Sequence, residues 1–143
     1  MIKSISALSC VVLLGACATP APVEVPANLK PGANESLSMI VPAKGVQVYE
    51  CRLGKDAAPH WIFVAPEAAL FDARGNTIGQ HGAGPYWQAT DGSRIVGALK
   101  QRADAPDPAA IPWLLLSAKS NGPDGAFSNV SSIQRVNTVG GVA

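Results

Sequence analysis

Asp72–Ile95, DARGNTIGQHGAGPYWQATDGSRI, is the stretch that decides the fold. It has a Gly-containing turn near its start, two glycines and a proline between His81 and Pro85, and an Asp-Gly turn near its end. Glycine and proline at this density suit neither a helix nor an unbroken ladder, so the segments between them are short. The stretch therefore predicts short antiparallel strands, with Asp91-Gly92-Ser93 as a hairpin connection and His81–Pro85 as an irregular loop.

The flanking sequence carries the same signal. Apolar or alternating runs predict further strands at Ser36–Val41, Gly45–Arg52, His60–Ala65, Arg94–Gln101, Trp113–Ala118 and Phe127–Val136. Pro66–Leu70 predicts one helical turn, and no window of twelve residues has the spacing of an amphipathic helix. The predicted fold class is mostly β: a single-domain antiparallel β-sandwich or partly open β-barrel with long loops and little helix.

The apolar content of these strands predicts which of them form the core. Trp113–Ala118 is the most apolar run after residue 17, so we expect it at the centre of the core. His60–Ala65 is apolar on both faces, which predicts an inner strand with Trp61 packed inside. Cys51 follows Tyr49 on an apolar strand, so we expect a buried, unreactive thiol.

Composition limits the chain to one domain and excludes some partners. The chain has 143 residues, of which 48% are hydrophobic and 15% charged, and this length suits a single core. Eleven Lys and Arg against ten Asp and Glu leave no excess of positive charge to neutralise phosphates. We therefore expect no nucleic-acid partner.

The N-terminus resembles a bacterial lipoprotein signal. Lys3 precedes the apolar run Ile5–Gly15, which is too short to span a membrane, and Leu14-Gly15-Ala16-Cys17 is similar to a lipobox. The resemblance implies a signal peptide at 1–16 and lipidation of Cys17, for example with palmitate. It also implies membrane attachment through the lipid, because several acyl chains anchor stably. Ala18 is not the Asp that retains lipoproteins in the inner membrane, so the outer membrane facing the periplasm is favoured.

Between the signal and the domain lies a Pro-rich tether. Residues 17–34 contain Pro20, Pro22, Pro26 and Pro31 and predict an extended linker whose last residues can dock on the domain. The β domain is then 35–143. With Cys10 removed and Cys17 lipidated, Cys51 is the one cysteine left in it, which predicts a free thiol and no internal disulfide.

Five short motifs in order resemble an exported family known as domain of unknown function 3455. They are Val25–Leu29, Gly45–Cys51, the loop Gly79–Trp87 with Asp91-Gly92-Ser93, Ile111–Leu116, and Ile133–Thr138 with Gly140-Gly141. The resemblance implies a fold and no catalytic role. Similar proteins continue with a further cysteine and an aromatic closing strand, so the resemblance also implies that this chain lacks a strand and a partner for Cys51.

The polar and aromatic residues of the central stretch are the candidate site. Aromatic rings beside a Gly-rich loop can line a shallow pocket, so we take His81, Tyr86, Trp87 and Asp91 as candidate ligand-binding residues. For His81 the simpler interpretation is a hydrogen bond across its own loop. The sequence predicts no catalytic residues, no metal site and no cofactor, because the spacing of the two histidines matches no standard motif.

These observations favour an envelope lipoprotein that acts as a binding or interaction module without catalysis. The expected partner, apart from the membrane, is a small molecule or an envelope protein. Two alternatives stay open: a hydrolase or redox enzyme using His81, Asp72 and Asp91, and a purely structural envelope protein.

Overall fold

The computed structural model describes residues 23–143, and the predicted signal peptide and Cys17 lie outside this range. Seven strands follow one another in a single antiparallel sheet in the order of the chain. They are β1 (Ala43–Leu53), β2 (Pro59–Phe71), β3 (Thr77–Gly82), β4 (Tyr86–Ala89), β5 (Arg94–Ala103), β6 (Trp113–Ser120) and β7 (Ser132–Arg135). The predicted mostly β fold is confirmed, with one 3-10 turn, Ala27–Leu29, as the helical element of the described residues.

The sheet is curled into a partly open barrel. The Tyr49 hydroxyl of β1 donates a hydrogen bond to the carbonyl of Gly141, which follows β7, at 2.7 Å. Gly141 also forms a bridge with Ala110. The two ends of the strand order are therefore joined at one rim by the segment after β7, and the face enclosed by the curl is called the inner face below.

The core lies on the inner face of the sheet, at the end where the β3–β4 and β4–β5 hairpins pair with their neighbours. Leu70, Ala89, Ile95 and Phe127 form a buried cluster, with Trp87, Ile133 and other half-buried side chains packed around it. Leu116 and Trp113 are buried on opposite faces of β6, as expected for a strand at the centre of the core. The prediction for Trp113–Ala118 is confirmed.

The segment before β1 docks on the outer face of the sheet. Leu29 is 0% exposed and packs with Trp113 and Leu115 in a second cluster. Gln134 donates to the carbonyl of Leu29 at 2.7 Å. Glu35 accepts hydrogen bonds from the hydroxyls of Ser131 and Ser132. The end of the predicted tether is therefore part of the folded domain.

Three local predictions were wrong. Pro66–Leu70 continues β2 and is not a helical turn, since residues 68–71 pair with β3 while residues 65–70 pair with β1. Ser36–Val41 forms no strand and joins no ladder. His60–Ala65 pairs only with β1 among the described residues, because β3 begins to pair at Ala68. That stretch is not an inner strand.

Because β3 pairs with β2 over only a few residues, two predictions of buried residues were also wrong. Trp61 is 62% exposed and lies outside the core. Cys51, its cross-strand partner, is exposed and free, not buried. Both belong to the end of the β1–β2 hairpin that extends beyond β3. Across residues 23–143, no helix combines the length and apolarity that a membrane crossing requires.

Candidate functional site

The structure brings three of the four predicted ligand-binding residues together. His81 lies at the end of β3 and stacks on Trp87 of β4, with ring centroids 4.3 Å apart and planes 12° apart. Its Nδ1 lies 2.7 Å from the carbonyl oxygen of Tyr86, and the N–H donates across the turn that joins the two strands. The predicted hydrogen bond of His81 across its Gly-rich loop is therefore confirmed, although His81 belongs to a strand.

Burial lowers the pKa of His81 below its ordinary 6.5. The bond to Tyr86 raises the pKa in part, and the positive charge of Arg135 lowers it further. A neutral ring stacked on tryptophan is the result. His81 and Tyr86 also line a cleft of about 470 Å³ against residues 65–68 of β2.

Asp91 lies elsewhere and holds a turn. Its carboxylate accepts hydrogen bonds from the hydroxyl of Ser93 at 2.6 Å and from the N–H of Ala126 at 2.8 Å. Ser93 is completely buried, and its oxygen accepts the N–H of Phe127. These bonds lower the pKa of Asp91 and fix the β4–β5 hairpin to the loop that carries Phe127.

The residues of the enzyme alternative bond to separate neighbours. Asp72 accepts hydrogen bonds from Arg74 and Asn76 within its own turn, while His81 bonds to Tyr86. Among the described residues no group of three or more His, Cys, Asp or Glu side chains is placed to hold a metal ion. The structure thus gives His81 no carboxylate partner for proton transfer within residues 23–143.

A cavity larger than the His81 cleft lies on the inner face of the sheet. Its volume is about 700 Å³, and it opens to solvent. Tyr49 of β1 and Phe63 of β2 form one wall, their rings 5.8 Å apart in an edge-to-face arrangement. Leu99 of β5 and Leu114 of β6 form the other wall. Side chains from both ends of the sheet thus enclose an apolar space. We call it the anion cavity because a positively charged side chain, described next, lines it.

Arg135 brings a positive charge into this cavity. Its Nε and Nη2 groups donate to the carbonyl oxygen of Pro112 at 3.0 and 2.7 Å. A guanidinium has five N–H groups, so three are left without a protein partner among the described residues. Burial, and secondly the charge of Arg102, lower the pKa of Arg135 below its ordinary value. Because arginine stays protonated at neutral pH all the same, the cavity holds a half-buried cation.

The remaining charges of the cavity lie at its rim. Arg102 is 3.6 Å from the carboxylate of Asp104, and both side chains are largely exposed. Asp107 accepts the N–H of Ala109. Neither carboxylate forms an ion pair with Arg135. An apolar cavity with an inner cation and a polar rim can hold an apolar molecule that carries a negative head.

The sequence did not single out four residues of the cavity: Arg135, Tyr49, Phe63 and Leu99. The sequence does contain a pattern that indicates the direction of the Arg135 side chain, because alternate residues of a strand share a face. Arg135 is two residues after the apolar Ile133 of the last predicted strand, so both point to the inner face. The alternation of apolar and polar residues does not show which strands face each other across the curled sheet. That depends on the pairing register between strands.

The comparisons with known proteins give a family and no activity. A family model described as protein of unknown function (DUF3455) matches residues 31–143. The searches of curated proteins and of solved structures found no match. The family match covers most of the chain, including all seven strands and both walls of the anion cavity. The chain therefore belongs to the DUF3455 family of proteins of unknown function.

Proposed function

We propose that this protein is a lipid-anchored binding module of the cell envelope, and that the anion cavity takes an apolar ligand with a negatively charged head. The observation that carries the proposal is the half-buried Arg135 guanidinium, which lies beside aromatic and aliphatic walls and has three N–H groups without a partner in residues 23–143. Cys17, in its lipobox-like context, supports attachment to the outer membrane facing the periplasm. The module binds its ligand and carries out no chemistry.

The ligand class follows from the cost of burying each group. Tyr49, Phe63, Leu99 and Leu114 offer apolar surface, and burying an alkyl chain against it is favourable by about 25 cal/mol per Å². A positive head group inside the cavity would meet the like charge of Arg135, and the carboxylates of Asp104 and Asp107 could compensate it only at the exposed rim. A carboxylate gains charge-assisted hydrogen bonds from the same guanidinium. Long-chain carboxylates are therefore the best simple probe.

Three probes with one alkyl chain and different heads test this proposal: laurate, dodecanol and dodecylammonium. The full chain carrying Cys17→Ser is used, so that no attached acyl chain competes for the cavity. Displacement of a fluorescent apolar anion, 8-anilinonaphthalene-1-sulfonate, reports binding. We expect laurate to bind at least about tenfold more tightly than dodecylammonium, since a charged hydrogen bond contributes about 1.5–3 kcal/mol.

Arg135→Gln tests the residue itself. It should weaken laurate about tenfold or more and leave dodecanol unchanged, because only the charged head is affected. Arg74→Gln is the matched control, since Arg74 is exposed in the β2–β3 turn and does not line the cavity. Equal affinities for laurate and dodecylammonium, or laurate binding that survives in Arg135→Gln, would refute the anionic ligand.

A further inference from the structure

Alternate turns of the sheet lie at the same end of the molecule. Because the strands follow one another in antiparallel order, the β1–β2, β3–β4 and β5–β6 turns share one end, which we call the upper end. The opposite end is the lower end. The β1–β2 hairpin extends beyond β3 toward the upper end, since β3 pairs with β2 only at Ala68–Phe71. Residues 50–61 of this hairpin are called the β1–β2 tip.

The three most exposed large hydrophobic side chains of residues 23–143 all lie at the upper end. In the β1–β2 tip, Leu53 is 77% exposed and Trp61 is 62% exposed. Val139 is 92% exposed, and its two chain neighbours hydrogen-bond to the backbone of Ile111 just before β6. Exposed apolar side chains gathered at one end, unlike those scattered singly, indicate an interaction surface.

The β1–β2 tip has one apolar face. Leu53 pairs with Pro59, and Cys51 pairs with Trp61. Directly opposed residues and alternate residues of a strand share a face, so these four side chains lie on the same face as Phe63, which lines the anion cavity. This face of the tip carries no charge, and it continues the aromatic wall of the cavity toward the upper end.

The charged groups of the tip lie on its opposite face or in its turn, and they balance. Arg52 donates to Glu50, and Nε2 of His60 lies 3.0 Å from both carboxylate oxygens of Asp56. Together with Lys55, the tip has two positive residues against two negative ones. A neutral element with one apolar and one polar face is suited to a lipid surface, where the apolar face enters the acyl chains and the polar face stays in water.

The segment before β1 leads to the same end. Val25 packs against the cluster of Trp113, at the upper start of β6. Glu35 accepts from Ser132, at the lower start of β7. The segment therefore runs along the sheet with its N-terminal side at the upper end. Cys17 is eight residues before Val25, a distance of at most about 29 Å at roughly 3.6 Å per residue. A lipid on Cys17 thus holds the upper end near the membrane.

We propose that the β1–β2 tip inserts its apolar face into the lipid surface beside the acylated Cys17 and so fixes the orientation of the domain on the membrane. The inference rests on the lipid anchor of the proposed function. Leu53, Trp61 and Val139 leave water when the upper end meets the lipid, and tryptophan is favoured at the membrane interface. Once the lipid holds the protein, insertion is an intramolecular step, so a small apolar face is sufficient. The tip orients the anchored protein and does not replace the anchor.

The charges of the β5–β6 turn keep that turn in water. Asp104 pairs with Arg102 at 3.6 Å, and its side chain is 91% exposed. Asp107 accepts a backbone N–H and lies at the rim of the cavity. Entry into acyl chains would remove the hydration of these carboxylates, so the tip enters and the β5–β6 turn stays outside. Because the charges of the tip balance, apolar contact drives the insertion, which needs no anionic lipid and persists at high salt.

Quenching of tryptophan by brominated lipid tests the inference. The mature wild-type protein is purified from membranes in detergent and reconstituted into vesicles of phosphatidylcholine with brominated acyl chains. We expect the emission of Trp61 to shift to shorter wavelength and to be quenched, at low and at high salt. Trp61→Phe should remove most of this quenching, because Trp87 is stacked on His81 and Trp113 is buried.

Leu53→Asp tests the apolar face, and Leu37→Asp is the matched control. An unpaired carboxylate at position 53 opposes insertion, so the blue shift and the quenching of Trp61 should both be lost. Leu37 is 56% exposed but lies between Glu35 and β1, toward the lower end, so its change should leave both signals intact. Urea unfolding should be nearly the same for the two variants, because both sites are exposed. Quenching that survives in Leu53→Asp, or that Leu37→Asp removes equally, overturns the inference.

The bromine signal also decides between lipid and protein as the occupant. A blue shift of Trp61 without quenching would mean that a second copy of the chain covers the tip. Neither a shift nor quenching would mean that the tip stays in water. Both results overturn the inference.

The mass of the reconstituted protein separates this inference from the proposed function. An acylated Cys17 without quenching of Trp61 refutes the inference alone. If Cys17 carries no lipid, the anchor is refuted, and the same protein is mixed with an excess of the brominated vesicles. Quenching of Trp61 then supports the tip as a lipid contact, and its absence refutes both. Quenching of Trp61 without laurate binding refutes the anionic ligand alone.

Discussion

His81 is the residue whose ionisation the fold controls most clearly. It stacks on Trp87, donates to the carbonyl of Tyr86 and lies near the charge of Arg135. Because burial lowers its pKa in the folded state, the unfolded chain binds the proton more readily than the folded chain. Its contribution to stability is therefore complete above the ordinary pKa of 6.5 and is lost as the pH falls below that value toward the lowered one.

We expect the free energy of unfolding of the wild type to decrease as the pH falls from 7 toward 5, before the carboxylates titrate. His81→Asn should flatten this part of the profile, since it removes the group that titrates. His60→Asn is the control, because His60 is exposed and pairs with Asp56 at the surface. Urea unfolding at a series of pH values measures both variants. An unchanged slope in His81→Asn would show that another group causes the pH dependence.

The sequence predicted the role of His81 better than that of Arg135. A histidine followed by two glycines and a proline has a backbone carbonyl within reach across the turn, which is a local property. Arg135 is one of eleven Lys and Arg residues. What distinguishes it is the curl that places β7 opposite β1, together with the carbonyl of Pro112 that holds its guanidinium. Both are properties of the tertiary structure.

The segment before β1 is the element whose role differs most from its sequence pattern. Proline-rich, weakly apolar sequence predicts a linker, yet Leu29 in the turn Ala27–Leu29 is fully buried against Trp113 and Leu115. A single apolar side chain with one hydrogen bond, from Gln134, is enough to dock a short turn. Helical propensity failed similarly at Pro66–Leu70, where pairing with two neighbouring strands overrides the local preference.

Leu29→Ala should lower the free energy of unfolding by about 2–5 kcal/mol, the usual range for a large-to-small change in a core. Leu37→Ala, at a 56% exposed leucine of the same segment, should cost less than about 0.5 kcal/mol. Chemical denaturation of both variants gives the comparison. Equal, small effects would mean that the segment does not dock in solution and that the linker prediction holds up to residue 34.

At the scale of the whole molecule, the sequence predicted an antiparallel β-sandwich or a partly open barrel, but not where the sheet is open. Turn residues mark how many strands there are, and this determined the fold class. The opening depends on unequal strand lengths: β1 has 11 residues and β2 has 13, while β3 has 6 and β4 has 4. The sequence does not show whether a residue of β2 has a neighbouring strand on its second side. It therefore predicts a buried position for Trp61 and for its cross-strand partner Cys51, and both are exposed.

The predicted lipid on Cys17 should account for membrane attachment of the whole molecule. Each buried CH₂ of an acyl chain contributes about 0.8 kcal/mol, so several chains hold the protein where one does not. We expect the wild type to stay with the membrane fraction in high salt and to be released by detergent. Cys17→Ser should appear in the soluble fraction, and Cys51→Ser, with its exposed thiol changed instead, should fractionate as the wild type.

Incorporation of labelled palmitate gives the direct readout of lipidation. We expect it in the wild type and in Cys51→Ser, and we expect none in Cys17→Ser. If Cys17→Ser stayed on the membrane, the exposed apolar end of the β1–β2 hairpin, with Leu53 and Trp61 at the surface, would be the better explanation of the attachment.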